Sequence, residues 1–209
     1  MHLIKIGGSL TYHAERLLNE LKKIEKPIII IPGGGEFANV VRKLYEKTNL
    51  NDSGAHKLAT LCVDLMGLYF SEISGIETTD NLFDAKRILE KNGKIIFLPS
   101  KLILSADELP HSWDVTSDTI ALYVAKFLNM EEIIVATDVD GVYDKYPGGK
   151  LLNTISAKDI RGFTSVDKHL PQLLIKYKMN CYVVNGKYPE RIINLLNGKM
   201  DICTKITWF

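Results

Sequence analysis

The sequence predicts an α/β fold with a mainly parallel central sheet, and three observations carry that expectation. Short apolar runs recur along the chain, above all His2-Leu3-Ile4-Lys5-Ile6, Ile28-Ile29-Ile30-Ile31 and Ile133-Ile134-Val135-Ala136. Runs that are apolar on both faces suit strands buried within a parallel sheet. Segments with apolar residues at helical spacing separate them, so strand and helix alternate along the chain. The first two strands also end in glycine, at Gly7-Gly8 and at Gly33-Gly34-Gly35. Two such turns share the carboxyl edge of a parallel sheet, where open α/β folds bind ligands.

In chain order, Tyr12 to Glu25 has the helical pattern, with Leu17, Leu18, Leu21 and Ile24 on one face. Helix resumes from Glu36 to Glu46, and 49–53 is a polar break. A long helix follows over 54–71, using Leu58, Leu61, Cys62, Leu65, Leu68 and Tyr69. A short strand is expected over 73–78, helix over 81–91, and strand over 94–98 before Pro99. Residues 101–110 read as an edge segment or flap. The polar block His111 to Asp118 precedes a helix over 119–128. Thr116 or Ser117 could cap that helix, with Asp118 complementing its dipole. After the strand at 132–136, Asp140-Gly141 and Pro147-Gly148-Gly149 are turn chemistry. Ser156 could cap 157–160, and Asp167 a helix over 168–177. Strand at 181–184, helix at 189–196 and strand at 201–206 complete the expectation.

At 209 residues the chain suits one domain, or two lobes sharing one sheet. Its net charge of +1 gives no electrostatic footprint for nucleic acid or an anionic membrane. No apolar run reaches the ~18 residues of a membrane span, and Lys5 with its glycine turn interrupts any secretory pattern at the start. Cys62, Cys181 and Cys203 stand far apart without zinc spacing, so a reducing, cytoplasmic compartment is expected.

Lys5, at the end of a buried strand and beside paired glycines, is a point charge aimed where a backbone can approach a phosphate. The bland alternative is an ordinary tight turn with a solvated lysine. A Walker A loop is absent, since no Gly-Lys pair here is followed by Ser or Thr. Gly33-Gly34-Gly35-Glu36-Phe37-Ala38 fits a relaxed dinucleotide pattern, but the second strand and its acidic residue do not follow.

Five motifs in order resemble the amino acid kinase superfamily: Lys5-Ile6-Gly7-Gly8-Ser9, Pro32 to Gly35, Thr116-Ser117-Asp118, Thr137 to Tyr143, and Thr204-Lys205-Ile206. In the last, Cys203 replaces the family's glycine. The resemblance implies a three-layer αβα sandwich, with an acceptor-binding lobe over 1–130 and an ATP-binding lobe over 131–209. It implies Lys5, Asp118 and Lys168 as catalytic residues, Asp118 orienting the lysines or helping to place Mg²⁺. Gly7, Gly8, Ser9, Asp138, Gly141, Tyr143 and Lys145 would hold ATP and its phosphates. Gly33, Gly34 and Gly35 would hold the acceptor. ATP is the implied donor, with Mg²⁺ carried on its oxygens, and the partner is a small phosphate acceptor.

The short length and the Ser112 to Asp118 block look closest to an archaeal branch. That branch phosphorylates an aminomethylfuran methyl phosphate in methanofuran biosynthesis. For such an acceptor, Trp113 would stack on the ring and Asp114 would meet the ammonium. Asp52 and His56 are weaker candidates at the acceptor mouth, and His56 reads best as a polar residue on a helix flank. Relatives associate through N-lobe helices, so a homo-oligomer through the helix at 54–71 is expected. The alternatives are a kinase for AMP, UMP or isopentenyl phosphate, or a non-catalytic binding or storage protein on the same fold.

Overall fold

A computed structural model describes residues 1–145, 147–161 and 165–209. Among the described residues there are eight strands, β1 (His2–Ile6), β2 (Ile28–Pro32), β3 (Thr78–Thr79), β4 (Lys94–Phe97), β5 (Glu132–Thr137), β6 (Thr154–Ser156), β7 (Asn180–Asn185) and β8 (Cys203–Thr207). They form one sheet in the order β3-β4-β2-β1-β5-β7-β8-β6. Every neighbouring pair is parallel except β7 and β8, where Cys181 opposes Ile206. The first strand is central, with Lys5 in register with Ile31 on one side and Val135 on the other.

Alternation along β1 and β2 sends successive side chains into two cores. Ile4, Ile6, Ile28 and Ile30 pack beneath α1 (Ala14–Lys22), α8 (Pro189–Leu196) and the later half of α3 (Asp52–Ser74). Leu3, Ile29 and Ile31 face the opposite layer, built from α4 (Leu82–Glu90), α5 (Ser100–Ala106), α6 (Ser117–Phe127) and α7 (Leu170–Tyr177). The result is the expected αβα sandwich. Lys5 shares the face of Leu3, and that places its ammonium against the start of α6.

Several boundaries differ from expectation for identifiable reasons. A 3₁₀ segment over Gly8–His13 precedes α1, so the helix begins at Ala14 rather than Tyr12. The expected flap over 101–110 is largely α5, because Asp64 accepts the Ser100 amide at 3.1 Å and caps that helix from α3. Ile73 remains helical, and Gly75 ends α3 at φ +66°, leaving β3 only two residues.

The apolar residues of α3 do not all face inward. Val63, Met66 and Phe70 are buried, whereas Leu58, Leu61, Leu65 and Leu68 are 41–47% exposed. Phe37, Val40 and Leu44 of α2 (Gly35–Lys47) are exposed as well. Among the described residues, no helix is long and apolar enough to cross a membrane.

Candidate active site

The glycine turns after β1 and β2 meet backbone to backbone. A Cβ on Gly33 would lie 2.5 Å from the Gly8 nitrogen, and one on Gly8 would lie 2.7 Å from Gly35. Gly35 also holds φ +52°, where a side chain is strained. The Gly7 amide donates to the Ala136 carbonyl (2.8 Å) and that of Gly33 to the Ile6 carbonyl (2.7 Å). These two amides therefore serve the fold. Gly8 and Ser9 open the 3₁₀ segment, and Gly35 and Glu36 open α2; first-turn amides have no intrahelical acceptor. All four residues line the same cavity.

Lys5 projects into that cavity from beneath. Its Nζ lies 2.6 Å from Asp118 Oδ1, and both side chains are under 10% exposed. The Asp167 amide donates to the other oxygen, Oδ2, at 3.1 Å. Asp118 thus meets Lys5 with one oxygen and the Asp167 amide with the other. Among the described residues, no group of three His, Cys, Asp or Glu side chains gathers to hold a metal.

Asp167 does far more than cap α7. Its carboxylate accepts from the Thr116 and Thr119 amides, both at 2.9 Å, and from their hydroxyls at 3.0 and 2.7 Å. It also accepts the His169 and Leu170 amides at 3.1 and 2.8 Å. Thr116 is the N-cap of α6 by position, yet its side chain makes no cap bond within that helix. Burial first, and then the Asp118 charge, push the Asp167 carboxyl up, against the pull of its donors.

The cavity has a volume of about 450 Å³. Its wall carries Arg42, Asp52, His56 and Trp113 along with Glu36. The Tyr45 hydroxyl donates to Asp52, and the Tyr45 ring meets Trp113 edge-on at 5.7 Å. The Arg42 guanidinium lies 5.0 Å over the indole and donates to Asn39. His56 is buried rather than on an open flank, and stacks on His111 at 4.6 Å. Burial first, and then the nearby His111 charge, hold its imidazole below the ordinary value.

Asp114 does not line this cavity. Its carboxylate pairs with Lys168 Nζ at 3.0 Å, with the two side chains 55% and 76% exposed. Lys168 precedes α7 instead of opening it, because the helix starts at Leu170.

Asp138, Gly141, Tyr143 and Lys145 form a second group beyond the carboxyl end of β5, outside the cavity lining. The Asn185 amide donates to the Asp138 carbonyl at 3.3 Å and to Asp140 Oδ1 at 3.0 Å. Burial opposes ionisation of Asp140, but Asn185 and the Arg191 guanidinium, 2.6 Å away, hold its carboxyl below the usual range. At Gly141, with φ +158°, a Cβ would lie 2.3 Å from Thr204 Oγ1. That hydroxyl accepts the Val142 amide at 2.8 Å and donates to the Leu152 carbonyl, so Thr204 of the last strand locks the loop. Tyr143 bridges to Leu151, while Lys145 is exposed.

The mainly parallel, doubly covered sheet thus brings two interlocked glycine turns, a buried lysine–aspartate pair and an Asp-Gly loop to one edge. The chain belongs to the amino acid kinase family, whose profile matches residues 1–185. It is 56% identical, over 99% of its length and 97% of the relative's, to the [5-(aminomethyl)furan-3-yl]methyl phosphate kinase of Methanocaldococcus jannaschii. A uridylate kinase of Methanococcus aeolicus is 24% identical over 87% of this chain and 84% of its own. Among solved structures, uridylate kinase from Archaeoglobus fulgidus matches with a TM-score of 0.73 at 17% identity, covering 99% of this chain and 100% of the other. UMP kinase from Ureaplasma parvum matches at 0.75 and 18%, covering 98% of each chain. At such identities the structural likeness speaks for the fold alone.

Proposed function

We propose that this chain is an ATP-dependent kinase that converts [5-(aminomethyl)furan-3-yl]methyl phosphate to its diphosphate in methanofuran biosynthesis. The observation that carries this reading is the 56% identity to a kinase of that name across nearly the whole chain.

The chemistry fits the residues. An oxygen of the acceptor phosphate attacks the γ-phosphorus of ATP, the bond from that phosphorus to the β,γ-bridging oxygen breaks, and ADP departs. The acceptor oxygen is already ionised at neutral pH, so the protein needs no strong base. Its task is to bring two anions together and offset the spreading charge. Lys5 would meet the transferred phosphoryl group, and Lys168, released from Asp114, the leaving β-phosphate. Amides of Gly8, Ser9 and Gly35 would hold phosphates of donor and acceptor. Asp118 would orient Lys5. The Asp138 to Lys145 loop would bind the nucleotide in a lobe over 131–209, with the acceptor in the lobe over 1–130. Mg²⁺, carried on ATP oxygens and water, would neutralise phosphate charge.

The acceptor has a phosphate at one end and an ammonium at the other. Lys5 and free amides suit the first; Asp52 and Glu36, the carboxylates lining the cavity, suit the second. This reading moves the ammonium contact from Asp114 to Asp52, and leaves Trp113 as the ring-facing aromatic. The exposed apolar faces of α2 and α3 would join two copies in a homo-oligomer. Three free, buried cysteines support a cytoplasmic enzyme.

ADP release from Mg-ATP, measured with the aminomethylfuran phosphate, AMP, UMP, isopentenyl phosphate and acetylglutamate, tests the proposal. Clear preference for the furan phosphate is expected. Preference for another acceptor would reject the assigned substrate, and tight ATP binding without turnover would favour a storage or regulatory protein.

A further inference from the structure

We propose that Asp167 is a positioning residue for phosphoryl transfer, fixing Asp118 and through it Lys5, and anchoring the segment that carries Lys168. This rests on the kinase reading above.

A local helix cap needs one or two donors, but Asp167 takes six, from residues on two helices. Thr116 and Thr119 contribute amide and hydroxyl each, and His169 and Leu170 contribute amides. Six donors exceed the roughly four lone-pair sites of a carboxylate, so the group has little rotational freedom left. Its own backbone amide is thereby held against Asp118 Oδ2. The oxygen on the other side of Asp118 meets Lys5. A line of direct contacts therefore runs from the Asp167 carboxylate to the ammonium in the cavity.

The burial of this carboxylate argues against a purely mechanical tie. A second anion placed beside Asp118 is unfavourable, and apolar packing holds two helices together at least as well. What apolar packing does not supply is a fixed N–H direction toward Asp118. Lys168 follows Asp167 directly, and its neighbour His169 donates both to Asp167 and to the Asp114 carbonyl. One residue thus bears on the Lys5 ammonium, through Asp118, and on the backbone beside Lys168.

A kinetic double-mutant cycle on the full chain tests this, using Asp118→Asn, Asp167→Asn and the pair, with thermal melting recorded for each. Asp167→Asn should lower kcat by about 10- to 100-fold, the scale of misplacing a reacting group by an ångström, with much smaller changes in KM. In the Asp118→Asn background it should add little, because both act through one group. Independent, multiplying losses would overturn the proposal, as would an unchanged kcat. Should Asp167→Asn fail to fold, Thr119→Val removes one 2.7 Å donor and should show a smaller loss with the same non-additivity.

A readout free of catalysis separates this from the substrate assignment. Amine-reactive labelling, followed by mass spectrometry, should find Lys5 protected in the wild type. In Asp167→Asn it should react faster relative to Lys22, which is tied to the Ser74 carbonyl on the other side of the sheet. Equal labelling of Lys5 in both proteins would sink the positioning role even if no acceptor were turned over.

Discussion

Lys5 and Lys168 carry the same charge toward the same edge of the sheet, but the protein holds them in opposite ways. Lys5 sits in a buried pair at 2.6 Å, fed by a central strand on one side and a helix start on the other. Lys168 sits in a pair at 3.0 Å whose two side chains are mostly exposed to water. Exposed pairs contribute about 0–1 kcal/mol and are screened by salt. Breaking a buried pair leaves an uncompensated charge at much greater cost. One lysine is built into the scaffold; the other, on the proposed reading, would exchange a carboxylate for a phosphate.

The most direct way to break this contrast is Lys5→Ala. We expect turnover to fall by about two orders of magnitude or more, as on losing a transition-state donor. Near-normal ADP release from a folded variant would remove Lys5 from the reaction. Next in size, Asp118→Ala should cost up to about 3 kcal/mol in urea unfolding, discounted because Lys5 reaches the cavity. Asp114→Ala should cost less than about 1 kcal/mol. Equal losses would mean that burial does not separate the two pairs.

On the acceptor side, Asp52→Asn should raise KM for an amine-bearing acceptor about 10-fold, the scale of a charged hydrogen bond. Its effect should exceed that of Asp114→Asn, because neither Asp114 nor its partner Lys168 lines the cavity. The reverse order would return the ammonium to Asp114.

The smallest effect concerns His56, a buried imidazole beside the more accessible, Asp107-paired His111. Its folded value lies below the ordinary 6.5, so the fold favours the neutral ring. The stability this supplies is fully present above the unfolded value and is lost as pH falls through the lowered folded value. Melting temperature should therefore decline on acidification below about pH 6.5, and His56→Gln should flatten that decline. An unchanged slope would show that other groups control it.

Much of this was legible in the order of residues. The isoleucine runs and the two glycine turns announce parallel strands and their ligand edge, because both effects are local. Lys5 and Asp118 could be paired only through a family resemblance, since 113 positions separate them and the packing of α6 against β1 brings them together. What sequence reading missed are caps supplied from a distance. Asp64 starts α5 from 36 residues away, and Asp167 holds α6 from about 50 away. No local pattern at either helix reports such a donor–acceptor match. The outward stripe Leu58, Leu61, Leu65 and Leu68 shares its helix with the buried Val63, Met66 and Phe70, and spacing alone marks apolar faces without telling which neighbour covers each.

The place of β1 in the middle of the sheet has a consequence for biosynthesis. The strand is made before both of its neighbours, and β2 can join it early, but its other edge waits for β5 at Glu132–Thr137. Until then a row of unpaired amides and apolar side chains stays open to the wrong partner. The Asp167 contacts arrive later still, and Thr204 locks the Asp138–Tyr143 loop last. Pairing across such separations is slow, so a nascent chain passes through a long interval in which Lys5 has been made but its surroundings have not.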